Sequence, residues 1–146
     1  MLNLGLGGVT QTDVDAAAAR YRARFNGAYV QFGRWSQFAR AQDVSAIFPD
    51  FISRLIYGAS ILEDDMVHAS VEYLLATAAV RYEDGRLAGI KNISTSAGRF
   101  YPTAYFYASG LNPPGHYQNG GHWPLYTIVA LALAYSITQS SHSINE

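Results

Sequence analysis

The chain has no cysteine, which excludes disulfides and thiolate metal sites and leaves the redox compartment open. It is also poor in charge. Asp, Glu, Lys and Arg make up 14% of 146 residues, against roughly 25% in an average domain. Nine arginines and the single lysine, Lys91, nearly balance the acids, for a formal net charge of -1. Phosphate backbones need clustered cations, so a nucleic-acid partner is excluded. The longest apolar run, Leu125 to Tyr135, is far short of the roughly 20 residues that span a bilayer. The opening Met1–Gly8 has neither the basic flank nor the long apolar core of a signal peptide. These absences predict a soluble chain that does not span a membrane, in a compartment the sequence does not name.

Against the scarcity of charge stands an excess of apolar and aromatic groups. Hydrophobic residues reach 49% and aromatics 14%, with eleven tyrosines. A disordered chain shows the opposite balance, and a fold of this length buries roughly 70% of its unfolded surface. Charge is also unevenly placed, because no Asp, Glu, Lys or Arg occurs between Arg99 and Glu146. So long an uncharged stretch needs cover from the fold, a partner or a ligand.

Local signals predict mostly helix. Thr12 and Asp13 precede an alanine-rich helix from Val14 to Arg24, which Asn26-Gly27 stops. Ala28 to Phe32 fits a strand or an extended turn. A second helix begins near Pro49-Asp50 and ends at Gly58. Ser60 and Glu63 have capping-box spacing, opening a helix with Val67, Val71, Leu74, Leu75 and Ala78 on one stripe. Two helices joined across Gly58-Ala59-Ser60 predict an α-hairpin. Glu83-Asp84-Gly85 reads as a turn, and from there to Gly121 lies a long loop rich in Gly, Pro, Asn, Ser and Tyr. Leu125 to Ile137 is helical and apolar nearly all round, so it needs cover on every side.

The run Pro114-Gly115-His116-Tyr117-Gln118-Asn119-Gly120-Gly121-His122-Trp123-Pro124 resembles the Tyr-Gln-Asn-Gly-x-x-Trp-Pro signature of six-hairpin glycosidases. The helices around Ile47–Asp50 and Glu63–Met66 resemble consecutive hairpins of that family, so the likeness covers most of 47–135. It implies an all-α fold, an incomplete (α/α)6 barrel forming one partial domain over 1–146. It also implies a loop contacting an oligosaccharide through Tyr117, Gln118, Asn119, Gly120, His122 and Trp123. The residue types agree independently, since a sugar ring calls for aromatic platforms, amides and neutral donors more than formal charge. Each also has a structural reading. Trp123 either meets a ligand or plugs a helix pair, and Gly120-Gly121 either approaches a ligand or makes a turn. His116 and His122 lack the spacing of a helical metal pair. No metal or cofactor is expected. Asn92-Ile93-Ser94 matches the glycosylation sequon, a pattern short enough to arise by chance.

Glycoside hydrolysis needs two carboxyl groups flanking the scissile bond. Of Asp43, Asp50, Glu63, Asp64, Asp65, Glu72, Glu83 and Asp84, Asp50 is the cleft candidate, although it doubles as a first-turn helix acid. The resemblance places the catalytic acid and base outside the matched region. The expectation is therefore a fragment or subunit of a glycoside hydrolase with an incomplete acid/base pair, acting with missing hairpins. The competing expectation is a non-catalytic glycan-binding or self-assembling protein. Its interface would be the charge-free aromatic C-terminal half.

Overall fold

A computed structural model describes residues 8–31, 40–102, 113–115 and 119–142. Thr10 caps the first helix, α1 (Gln11–Arg22): its hydroxyl accepts from Asp13 N, and its own N–H donates to the Asp13 carboxylate at 2.8 Å. The chain returns through a bridge between Phe25 and Val30 and pairs Gln31 with Gln42. Strand β1 (Gln42–Asp43) runs into a 3-10 turn, Val44–Ile47, and then α2 (Phe48–Tyr57). Helix α3 (Asp64–Thr77) leads into β2 (Ala79–Arg81), β3 (Leu87–Ile90) and β4 (Ile93–Ser94), and α4 (Pro124–His142) closes the described fold.

Among the described residues the architecture is mixed α/β. Four helices accompany two antiparallel two-stranded sheets, β1–β4 and β2–β3. The expected all-α fold and (α/α)6 barrel are therefore overturned. Part of the stretch expected to be a long loop pairs instead: Ala79 faces Ile90 and Val80 faces Gly89, with a register shift before Arg81. Gly85 at φ 83° makes the turn between these strands. The two helices expected on either side of Gly58 are present as α2 and α3, and both pack chiefly on α4 rather than on each other.

The Ser60 capping box does not form. Glu63 is the N-cap of α3 and makes no side-chain cap bond. The turn before it is held by Asp50, whose Oδ1 accepts from Ile61 N at 2.6 Å and Leu62 N at 2.8 Å. A fully buried carboxylate reaching across from α2 thus replaces the local serine. The expected stripe of α3 does face inward, with Val67, Val71 and Leu74 buried. They join Val44, Ile47, Leu62, Ile90 and the inner face of α4, Ala130, Leu133 and Ile137, in one core.

Asp43 caps the 3-10 turn, its Oδ1 accepting from Ser45 N at 2.8 Å and Ser45 Oγ at 2.7 Å. Burial pushes its carboxyl pKa up, opposed by the Ser45 bonds and the Arg24 charge. The folded state thus holds this proton more tightly than the unfolded chain, whose aspartates titrate near about 3.9. The contribution is fully present below that value and is lost as pH rises through the folded pKa. Asn also accepts a cap bond, so Asp43→Asn should match or exceed the wild type in stability at pH 7. Its advantage should grow from about pH 4 upward, read by urea unfolding at a series of pH values. Curves that stay parallel across pH would remove Asp43 as the titrating group.

Candidate interaction surface and the aromatic loop

The loop residues expected to meet a sugar divide when placed in the fold. Tyr117 and Gln118 lie outside the described residues, as does His116. Asn119 is fully buried and turned inward. Its Nδ2 donates to Tyr101 O at 2.9 Å and its Oδ1 accepts from Tyr101 N at 3.0 Å, so its amide pins two backbone segments together. Gly120 is buried under Phe100, whose ring atoms lie 2.4 Å from where a Cβ would stand. That is the turn-device reading of this glycine. His122 pairs its backbone with Lys91, and its exposed imidazole lies over Gly89.

Trp123 is half-buried. Its ring stacks on Tyr126 at 5.9 Å, and Tyr126 meets Phe48 edge-on at 5.7 Å. Phe48 then touches Phe51 at 6.3 Å. This row of rings ties the start of α4 to the start of α2, which is the plug reading of Trp123.

Asp50 does not open onto a cleft. Besides its two backbone donors it takes Arg54 Nε at 2.7 Å, while Arg54 Nη2 reaches Asp64 at 2.7 Å. Burial disfavours the Arg54 cation, but the bonds and charges of Asp50 and Asp64 outweigh it and hold its pKa above the ordinary value. Other candidate carboxylates are similarly engaged: Asp43 on Ser45, Asp65 on Met66 N and Asp84 on Arg86. The sequon is closed too, because Asn92 and Ser94 are both buried. Among the described residues no group of three or more His, Asp or Glu could hold a metal ion.

The surface that stands out was only half visible in the sequence. Helix α4 is apolar on two faces, and the structure covers one. Val129, Ala130, Leu133 and Ile137 are buried, while Leu125, Ile128, Leu131 and Tyr135 are 59%, 63%, 36% and 67% exposed. At 3.6 residues per turn the exposed four span an arc of roughly 120°. The sequence signal was the absence of any charged side chain from Pro124 to His142. The 3-3-4 spacing of the outer residues marks it as a second stripe. No described helix is long and apolar enough to cross a membrane.

Compared with known proteins, the chain matches no protein-family model and no curated protein. With neither a family match nor a helical barrel, the likeness of the 114–124 run to the six-hairpin glycosidase signature is a local one. The glycoside-hydrolase expectation is withdrawn with it.

Proposed function

We propose that this chain is a non-catalytic self-assembling protein whose working surface is the outer face of α4. The observation that carries the reading is the exposed stripe Leu125, Ile128, Leu131 and Tyr135 on a helix without charge. Isolated exposed apolar residues are ordinary, but a contiguous row of large ones marks an interaction surface. The occupant is a second copy, because one apolar stripe laid on its own two-fold mate is self-complementary. The glycan-holding alternative for the aromatic loop is weaker, since Asn119 spends its amide on Tyr101.

Magnitudes set how tight the assembly is. Completing the burial of four such side chains is worth about 1 kcal/mol each, or about 8 kcal/mol over two copies. Association costs about 4–15 kcal/mol before any surplus appears. A 19-residue helix is about 28 Å long and 10 Å wide, a strip of roughly 300 Å², against about 800 Å² per partner in a stable interface. The face of α4 alone therefore supports association no tighter than about millimolar. Tighter pairing needs more surface, and α2, packed beside α4, exposes Leu55, Ile56 and Tyr57 in its last turn.

Light scattering over about 1 μM to 1 mM protein should show the mass rising with concentration. Ile128→Asp, at a position outside the core, should flatten that rise by removing the α4 contact. A wild type that is monomeric throughout, or a variant that assembles equally well, overturns the proposal.

A further inference from the structure

A second self-complementary surface lies on α1, and it is electrostatic where that of α4 is apolar. Helix α1 buries no residue in its own chain. Its attachment is at the C-terminal end, where Tyr21 Oη donates to Ala46 O and Arg22 Nε donates to Ile61 O. On the side opposite Tyr21, Thr12 and Ala19 are exposed and Ala16 is half-buried, a row of small residues that lets another backbone approach closely. Charge gives the row its direction. At 100° per residue, Asp13 and Arg20 flank it along one edge and Asp15 and Arg22 along the other, with both acids in the first half and both bases in the second. Among the described residues Arg20 makes no hydrogen bond or close ion pair, its charge reaching Asp13 of its own helix. Asp15 takes Gln11, and Asp13 takes Thr10 at the cap.

We infer that α1 pairs antiparallel with α1 of a second copy, about a two-fold axis passing between Ala17 and Ala18. That axis keeps each edge beside its own copy while reversing the helix direction. Asp13 then meets Arg20 of the second copy along one edge, and Asp15 meets its Arg22 along the other. Each pair is offset by about 3 Å along the axis, well within the reach of an arginine. Four opposite-charge contacts result. A parallel pair would instead set Asp13 beside Asp15 and Arg20 beside Arg22, so the same charges that favour one arrangement oppose the other. A two-fold contact through α4 and a second through α1 would together build an assembly larger than a dimer. The α1 pairing itself stands independently of the α4 reading.

The experiment uses the full chain carrying Ile128→Asp, so that only α1-mediated association remains. One version adds Arg20→Glu and Arg22→Glu, and another adds Asp13→Lys and Asp15→Lys. Exposed ion pairs are worth a few tenths of a kcal/mol each, so either version alone should associate about tenfold more weakly than the Ile128→Asp parent. An equimolar mixture of the two should recover or exceed the parent, because every contact again joins opposite charges. Raising the salt from about 0.05 to 0.5 M should weaken the parent's association, since screening acts on exposed charges. Circular dichroism of each version checks that α1 remains helical. With α1 intact by that check, a mixture no tighter than its components, or an association indifferent to salt, overturns the pairing. Neither outcome touches the α4 interface, which Ile128→Asp tests in the otherwise unaltered chain.

Discussion

Asp50→Ala should cost about 4 kcal/mol of folding stability, the range found when one partner of a buried ion pair is removed. The carboxylate is fully buried and saturated by Ile61 N, Leu62 N and Arg54 Nε. Truncation leaves two amides of the α2–α3 connection without an acceptor, each costing about 1–3 kcal/mol if it stays dry. It also leaves the Arg54 guanidinium with Asp64 as its remaining carboxylate partner. Removing the cation as well should recover part of the loss, so Asp50→Ala/Arg54→Leu should be more stable than Asp50→Ala alone. Urea unfolding of the three variants measures this. A single variant within about 1 kcal/mol of wild type, the ordinary mutational average, would mean that the carboxylate does not hold the connection. It would also return Asp50 to the list of groups free to do chemistry.

Asp50 shows what the sequence could and could not disclose. Its position in the first turn of α2 was legible from Pro49 and Gly58, because caps and breakers act within a few residues. Its partners were not. Ile61 and Leu62 lie beyond a glycine turn, and nothing local says that their amides lack acceptors. For the same reason Ser60 was read as the cap of α3, since a capping box is a local pattern. The helix itself and its inward stripe of Val67, Val71 and Leu74 followed from period alone.

Strands were the larger loss. The β1–β4 pair joins Gln42 to Ser94 and Asp43 to Ile93, two residues a side, too short for alternation to register. The β2–β3 hairpin had its turn in view at Asp84-Gly85, yet Ala79–Arg81 is a three-residue strand following directly on a helix. In the loop, chemistry was inferred from residue type. The structure shows why type misleads there: an amide suited to a sugar hydroxyl suits a backbone equally well, and Asn119 found Tyr101. The all-round apolar character of α4 was legible. Which half of it the chain itself would cover was not, because that depends on where α2, α3 and the 3-10 turn pack.

Gly98→Ala should destabilise the fold by about 3–5 kcal/mol, combining left-handed strain with a clash against backbone. Gly98 has φ 72°, and a Cβ there would stand 1.8 Å from Thr77 O at the end of α3. A backbone carbonyl between α3 and β2 cannot swing aside as a side chain can. The turn from Thr95 to Gly98 would therefore have to lift away from α3. That turn supplies the acceptors of a buried amide, with Gln42 Nε2 donating to Thr95 O at 3.0 Å and Ser96 O at 2.8 Å. Lifting it strands the fully buried Gln42 and loosens Tyr73 Oη, which donates to Ser96 O at 3.0 Å. The Lys91 ammonium, bound to Gly98 O at 2.7 Å and set over the Phe100 ring, would move with it. The disturbance then passes to the Phe100–Gly120 and Tyr101–Asn119 contacts that lead into α4. Gly85→Ala is the control, with φ 83° and nothing within 4 Å of the added carbon, so it should cost only the conformational share of about 1–2 kcal/mol. Equal losses in the two variants would show that backbone conformation alone, and not the approach of the turn to α3, makes Gly98 necessary.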